Sequence, residues 1–93
     1  MATGTVNIDF GLTPSTEATV TVTGQSAILS TSFIEAFIMA GSTATNDSNG
    51  HLFAGVSFRL VCGDIVESTG FTIYVTCISG MATGEFQITW VWS

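Results

Sequence analysis

His51 is the residue whose type best suits catalysis, because it is the only histidine in the chain. Together with Asp47, Asp64 and a serine, it would supply the groups of a hydrolytic site. Such a site needs a nucleophile that a positioned base activates, and the sequence contains no Gly-x-Ser-x-Gly turn or comparable element. We therefore predict that the chain is not an enzyme and that His51 lies at the exposed end of a loop.

Residues 46–50 read Asn-Asp-Ser-Asn-Gly and carry the oxygen atoms that calcium prefers. The EF-hand template requires glycine at its sixth position and glutamate at its twelfth. With Gly50 at the sixth position, Thr45 falls at the first and Val56 at the twelfth, so the template fails. A calcium contact through Asp47 alone is the alternative, and we predict no bound cofactor or metal.

Cys62 and Cys77 are the only cysteines, and neither a C-x-x-C motif nor a nearby histidine accompanies them. The N-terminal residues lack the basic and apolar regions of a secretory signal, which predicts synthesis in the cytoplasm, where thiols stay reduced. We therefore predict two buried free thiols. A disulfide is the alternative if the two cysteines lie on neighbouring strands.

The charge of the chain limits its partners, because the net charge is −6 and Arg59 is the only arginine or lysine. Nucleic-acid binding requires cationic side chains that replace counterions, so we exclude it. The longest apolar stretch, residues 32–40, is interrupted by Glu35 and is shorter than the roughly 18 residues of a membrane span. We expect Arg59 to face a carboxylate of Glu35, Glu85 or a second subunit, with anion binding as the alternative.

The surface is unusually poor in charge, since charged residues make up 9% of the chain against roughly 25% in a typical soluble domain. Soluble β-proteins commonly protect their sheet edges with lysine, and this chain has none. We therefore predict a homo-oligomer, or a subunit of a larger assembly, in which identical or different partners cover much of the surface. A monomer coated with threonine and serine is the alternative.

Apolar and polar residues alternate in several segments, as in strands with one buried face. These segments are residues 5–10, 17–23, 52–62, 70–78 and 85–92. The last two flank a short connection that contains Gly80 and Gly84, which predicts a hairpin. Residues 32–40 are apolar on both faces and predict a central or covered strand, with a helix as the alternative.

These segments predict a single all-β domain, residues 1–93, built as an antiparallel β-sandwich or flattened barrel of six to eight strands. Residues 41–50 form the longest polar stretch and predict an exposed loop. The candidate residues for recognition at this loop and its end are Asn46, Asp47, Asn49 and His51.

The aromatic residues near the end of the sequence are the best candidates for contacts. Phe86, Ile88, Trp90 and Trp92 share one face of a strand, and we expect Phe86 and Ile88 in the core and Trp92 near a rim or a subunit contact. The predicted interface residues are Phe33, Phe37, Arg59, Trp90 and Trp92. Alternatively, Trp90, Trp92 and Tyr74 form a platform on which a sugar stacks.

Several segments resemble small proteins encoded in the genomes of tailed bacteriophages and prophages. They are Val-Asn-Ile-Asp-Phe-Gly at residues 6–11, Val-Thr-Gly-Gln-Ser-Ala-Ile-Leu at 22–29, Ile-Glu-Ala-Phe-Ile-Met at 34–39, and Gly-Phe-Thr-Ile-Tyr at 70–74. The most specific element is the closing Gly-x-Phe-x-x-x-Trp-x-Trp at residues 84–92.

The resemblance implies a structural protein of the virion, synthesised in the host cytoplasm and placed on the capsid exterior or the tail. There it would bind other virion proteins as a decoration, fibre or adaptor component. A receptor-binding or carbohydrate-binding module of the tail or fibre, with a host-surface glycan as its ligand, is the alternative.

Overall fold

The chain folds into two three-stranded antiparallel sheets that face each other and carry one short helix. A computed structural model describes residues 2–39, 41, 43, 45–78 and 80–93, with residues 48, 49, 52, 55 and 56 described by their backbone only. The elements are β1 (Ala2–Asp9), β2 (Glu17–Val22), β3 (Ile34–Phe37), α1 (Ser48–Ser57), β4 (Phe58–Val66), β5 (Gly70–Cys77) and β6 (Glu85–Trp92). The predicted all-β class is confirmed, as a sandwich that is not closed into a barrel.

β5 and β6 are the central strands of different sheets, so the hairpin predicted for residues 70–93 is wrong. The strand order is β1-β6-β3 in one sheet and β2-β5-β4 in the other. β6 pairs along its full length with β1, from Ala2 opposite Trp92 to Asp9 opposite Glu85. The connection between β5 and β6 therefore crosses from one sheet to the other, which brings the apolar faces of the two central strands together.

The core lies between these faces, because every second residue of both central strands is buried. Phe10, Phe58 and Phe86 form an aromatic cluster with ring centroids 5.0 to 5.9 Å apart. Phe71 and Trp90 contact edge to face at 5.5 Å across the sandwich. The prediction that Phe86 and Ile88 lie inside is confirmed.

β3 is shorter than predicted and lies at an edge, so the expectation of a central strand over residues 32–40 is wrong. It spans only Ile34–Phe37 and pairs with the second half of β6, from Ile34 opposite Trp92 to Phe37 opposite Thr89. The apolar residues on its outward side remain exposed. The other alternative, that a neighbouring subunit covers this strand, stays a prediction.

Residues 48–57 form helix α1, so the strand predicted over residues 52–62 begins only at Phe58. Asp47 caps the helix, and its carboxylate accepts a hydrogen bond of 2.9 Å from the backbone N–H of Gly50. His51, Ala54 and Phe58 are buried at spacings of three and four residues, which is the helical spacing. β4 continues to Val66 with a register irregularity after Gly63.

Candidate assembly surfaces

The first half of β6 is completed by side chains where β3 does not reach. β3 pairs only with the second half of β6. On the same side of the first half, polar side chains bind the backbone groups of Glu85 and Gln87. We call these side chains the side-chain clamp, namely Thr43, Thr45, Asn46 and His51. The Glu85 carbonyl accepts hydrogen bonds of 2.8 Å from Thr43 Oγ1 and from Asn46 Nδ2. The Glu85 N–H donates to Thr45 Oγ1 at 2.7 Å. The clamp satisfies strand groups that would otherwise need another strand.

His51 belongs to this clamp and is 1% exposed, so its predicted position at an exposed loop end is wrong. Its Nε2 accepts a hydrogen bond of 2.8 Å from the backbone N–H of Gln87. Its Nδ1 lies 2.9 Å from the carbonyl oxygen of Asp47. Because Nε2 is the acceptor, Nδ1 carries the proton and donates to Asp47. Both ring nitrogens are thus engaged in structural bonds, and the imidazole fastens α1 to β6.

The other residues predicted for an exposed loop have different positions. Asn46 is half-buried, and its side chain is bound to the first residue of β6, so the prediction is wrong for Asn46. Asp47 is exposed, although its carboxylate caps α1. The side chain of Asn49 lies outside the described residues. Asn46 and His51 are therefore packed against β6, whereas Asp47 is exposed as predicted.

Trp90 and Trp92 are buried at 6% and 8% exposure, because they share the inward face of β6 with Phe86 and Ile88. The platform for a sugar predicted from Trp90, Trp92 and Tyr74 is therefore wrong. The Trp92 Nε1 donates a hydrogen bond of 3.0 Å to Gln25 Oε1. The Trp90 Nε1 is buried without a hydrogen-bond partner among the described residues. Neither indole is exposed as a stacking platform, although an edge of Trp92 lines a groove beside β3.

Tyr74 lies on the outer face of the second sheet and is partly exposed. Its hydroxyl donates a hydrogen bond to a carboxylate oxygen of Asp64. That bond, followed by burial and by the negative charge of Asp64, raises the pKa of Tyr74 above its ordinary value. The pair stabilises the outer side of β4 and β5 next to the irregular end of β4.

Arg59 projects from β4 on the same outer face, opposite Thr76 of β5. Its guanidinium is exposed and forms no ion pair with a carboxylate in the part of the chain that the structure describes. The predicted pairing with Glu35 or Glu85 inside the chain is therefore wrong. A contact between Arg59 and an acidic group of a second subunit stays a prediction.

The thiols of Cys62 and Cys77 are free, so the alternative of a disulfide is wrong. Cys62 lies opposite Ile73, four residues away from Cys77 along β5, which explains why they do not meet although their strands are neighbours. Cys77 is buried as predicted, whereas Cys62 is only half-buried. Burial, and to a smaller extent the charge of Glu35, raises the pKa of the Cys62 thiol.

The exposed apolar residues around β3 form the surface best suited to a partner. Phe33 is 83% exposed, Phe37 41% and Met39 60%, and all three belong to the outward side of this edge. A groove of about 290 Å³ adjoins them, lined by Phe33, Ile34, Glu35, Val91, Trp92 and Ser93. We call the three exposed residues together with the lining of this groove the β3 surface. Among the predicted interface residues, Phe33 and Phe37 are the two apolar ones that the fold leaves accessible.

Two further features of the described residues bear on function. No group of three or more His, Cys, Asp or Glu side chains is arranged there to hold a metal ion. No helix in the same part of the chain combines the length and apolar character that crossing a bilayer requires.

The fold thus defines a small antiparallel β-sandwich with an apolar edge. Comparisons of this chain with family models, with curated proteins and with solved structures found no match. The resemblance to proteins of tailed phages therefore stays a prediction.

Proposed function

We propose that this chain is a non-enzymatic structural subunit of a tailed-phage virion, located on the capsid exterior or the tail. It binds neighbouring virion proteins through the β3 surface. The observation that carries the proposal is Phe33, an aromatic residue that is 83% exposed beside an open groove at a sheet edge. The phage setting is supported by the resemblance of the segments described above.

The energetics favour a covered β3 surface. Burying a phenylalanine side chain that was exposed contributes about 1.5–3 kcal/mol to association. Phe33, Phe37 and Met39 lie on the same side of one edge, so a single partner can cover all three. Aromatic residues and methionine are enriched in protein interfaces for this reason. A single carboxylate, Glu35, lies between the two phenylalanines, which favours a partner that offers a cation or a hydrogen-bond donor there.

The recognition of a host glycan has less support. It required exposed indole rings and an open polar loop. The structure buries Trp90 and Trp92 and packs the described clamp residues against β6. No observation therefore favours carbohydrate binding as a second function.

The proposal is tested by incorporation into particles. Phage encoding the Phe33→Ser or Phe37→Ser variant is purified, and the amount of this chain per particle is measured by quantitative mass spectrometry. We expect a strong loss of incorporation for both variants. Leu12→Ser is the matched control, because Leu12 is 98% exposed but lies near Gly84, at the opposite end of β6 from Phe33.

Each variant is compared with the unchanged chain by circular dichroism, so that a folding defect is separated from a lost contact. Normal incorporation of both folded phenylalanine variants would contradict the role of the β3 surface. Absence of the unchanged chain from purified particles would contradict the proposed function as a whole.

A further inference from the structure

β1 is an edge strand whose open side can be identified from the hydrogen-bond pattern of its neighbour. Phe33 and Ser93 exchange two backbone bonds of 3.0 Å at the end of β6. In an antiparallel pair, successive residues direct their backbone groups to opposite sides. The backbone N–H and C=O groups of odd-numbered residues in β6 therefore point toward β3, and those of even-numbered residues point toward β1.

The register then fixes which groups of β1 are free. Val6 lies opposite Ile88 and Ile8 opposite Phe86, so the even-numbered residues of β1 use their backbone groups within the sheet. The N–H and C=O groups of Thr3, Thr5 and Asn7 point away from β6. These three side chains are exposed on the outer face of the strand. Their backbone groups therefore form a row without partners among the described residues, beside small polar side chains.

The other three edges of the two described sheets carry features that oppose pairing. β3 has only four residues. β4 carries Arg59 and Asp64 and a register irregularity after Gly63. β2 has six residues and begins with the charged Glu17.

β1 carries none of these protective features along most of its length. It has eight residues, no proline and no charge before Asp9 at its end. A long, regular and uncharged edge of this kind is a template for pairing with another strand.

We propose that β1 pairs antiparallel with β1 of a second copy of this chain, joining two three-stranded sheets into one sheet across a two-fold axis. Only odd-numbered residues offer free groups, so odd-numbered residues of the two copies face each other. A register centred on Thr5 places Thr3 opposite Asn7 of the partner, where polar side chains can bond across the strands. Asp9 then extends past the partner's Ala2, so no carboxylate faces another.

The contact goes beyond the proposed function, because it involves a different edge from the β3 surface and forms in the isolated chain. Its test therefore needs no virion. A failure of β1 pairing leaves incorporation through the β3 surface untouched, and the reverse also holds.

The test places a proline at a position in β1 whose backbone N–H points away from β6 and does not pair within the sheet of one copy. Thr5→Pro removes a donor on the open side of β1, where proline is tolerated at an edge. Thr19→Pro is the matched control. The backbone N–H of Cys77 donates to the Thr16 carbonyl at 2.8 Å, so the backbone groups of even-numbered residues in β2 point toward β5. The backbone N–H of Thr19 therefore points to the open side of β2, and its side chain is exposed like that of Thr5.

Sedimentation equilibrium over a wide concentration range measures the outcome. We expect the unchanged chain and Thr19→Pro to form a dimer of twice 9.7 kDa. We expect Thr5→Pro to dissociate at least about tenfold more readily, because each copy loses the Thr5 donor and the central pair of the new ladder loses both of its backbone hydrogen bonds. A monomeric unchanged chain at every concentration, or equal behaviour of the two proline variants, overturns the proposal.

A second pair of variants covers the case in which Thr5→Pro does not fold. Thr5→Lys keeps the backbone N–H and places two cations near each other at the centre of the pairing, whereas Thr19→Lys does not. Hydrogen exchange of the Thr5 amide provides an independent readout. We expect its exchange to slow as the concentration of the unchanged chain rises, and exchange that is independent of concentration overturns the proposal.

Discussion

The Nε2 atom of His51 accepts a 2.8 Å hydrogen bond from the backbone N–H of Gln87, so that an imidazole ring occupies a position on β6 that a neighbouring strand would normally fill. The same ring donates through Nδ1 to the Asp47 carbonyl and contacts Phe86 at 5.5 Å. The single histidine of the chain is therefore a structural bridge between α1 and the central strand.

His51→Phe is expected to destabilise the fold by about 1–3 kcal/mol, because it leaves the partly buried N–H of Gln87 without an acceptor and places a larger ring at a buried site. The measurement is the free energy of unfolding from urea titration. Phe53→His, on the exposed side of the same helix, is the control and is expected to change stability by less than about 0.5 kcal/mol. Equal stability of His51→Phe and the unchanged chain would contradict the bridging role.

Gly4→Ala is expected to cost about 1–3 kcal/mol through overpacking. A Cβ at Gly4 would lie 2.5 Å from Cζ2 of Trp90, whose indole covers the backbone of β1. Gly63→Ala is the control, since nothing lies within 4 Å of the corresponding Cβ position. Thermal and urea unfolding should show a clearly lower stability for Gly4→Ala than for Gly63→Ala. A similar loss of stability in both variants would show that the indole does not pack on Gly4 as described.

Tyr74 is expected to titrate above its ordinary pKa of 10.0, because its hydroxyl donates to Asp64. Since it is the only tyrosine, the absorbance of tyrosinate reports this residue alone. The raised pKa means that the bond stabilises the fold below the pKa of the unfolded chain and that this contribution is lost as the pH rises through the folded value. Asp64→Asn should lower the midpoint, and an unchanged midpoint would contradict the bond.

Cys62 is expected to react slowly with iodoacetamide in the native protein, because burial and then Glu35 raise its pKa and lower the thiolate fraction. Glu35→Gln should accelerate the reaction by less than about tenfold, which corresponds to one pKa unit, since Glu35 is the smaller cause. Peptide mass spectrometry separates Cys62 from the buried Cys77. A slower reaction in Glu35→Gln would show that the carboxylate does not act on this thiol.

Alternation of apolar and polar residues was enough to predict β2, β5 and β6 close to their observed bounds, whereas β1 begins three residues before the predicted start. Each of these strands has one face in the core, so burial imposes a period of two on the sequence. The pattern contained no information on pairing, because a turn signal shows only that the chain reverses. The assignment of β5 and β6 to one hairpin failed for this reason, since the connection leads to the other sheet.

Helix α1 was missed because Leu52, Ala54 and Val56 also fit a period of two. A local signal was present, namely an asparagine and an aspartate before a segment in which residues 51, 54 and 58 share a helical face. The side-chain clamp had no local signal. Its bonds join residues 36 to 42 positions apart, and only the folded chain brings them together.

The exposed surfaces were predictable in part. The shortage of charge predicts that partners cover the surface, but it does not predict where. Burial of Trp90 and Trp92 excluded the two largest candidates and left Phe33 and Phe37. Whether an aromatic side chain lies in the core or at a surface that a partner can contact depends on which face of its sheet packs against the other sheet. Composition does not contain that information.

The role of this chain as a structural subunit of a virion can be tested by electron cryo-microscopy of purified phage particles that encode it. We expect density for repeated copies of this sandwich on the capsid exterior or the tail, with Phe33 and Phe37 against a neighbouring virion protein. Particles at a resolution that shows side chains, with every protein assigned and no density for this sandwich, would contradict it.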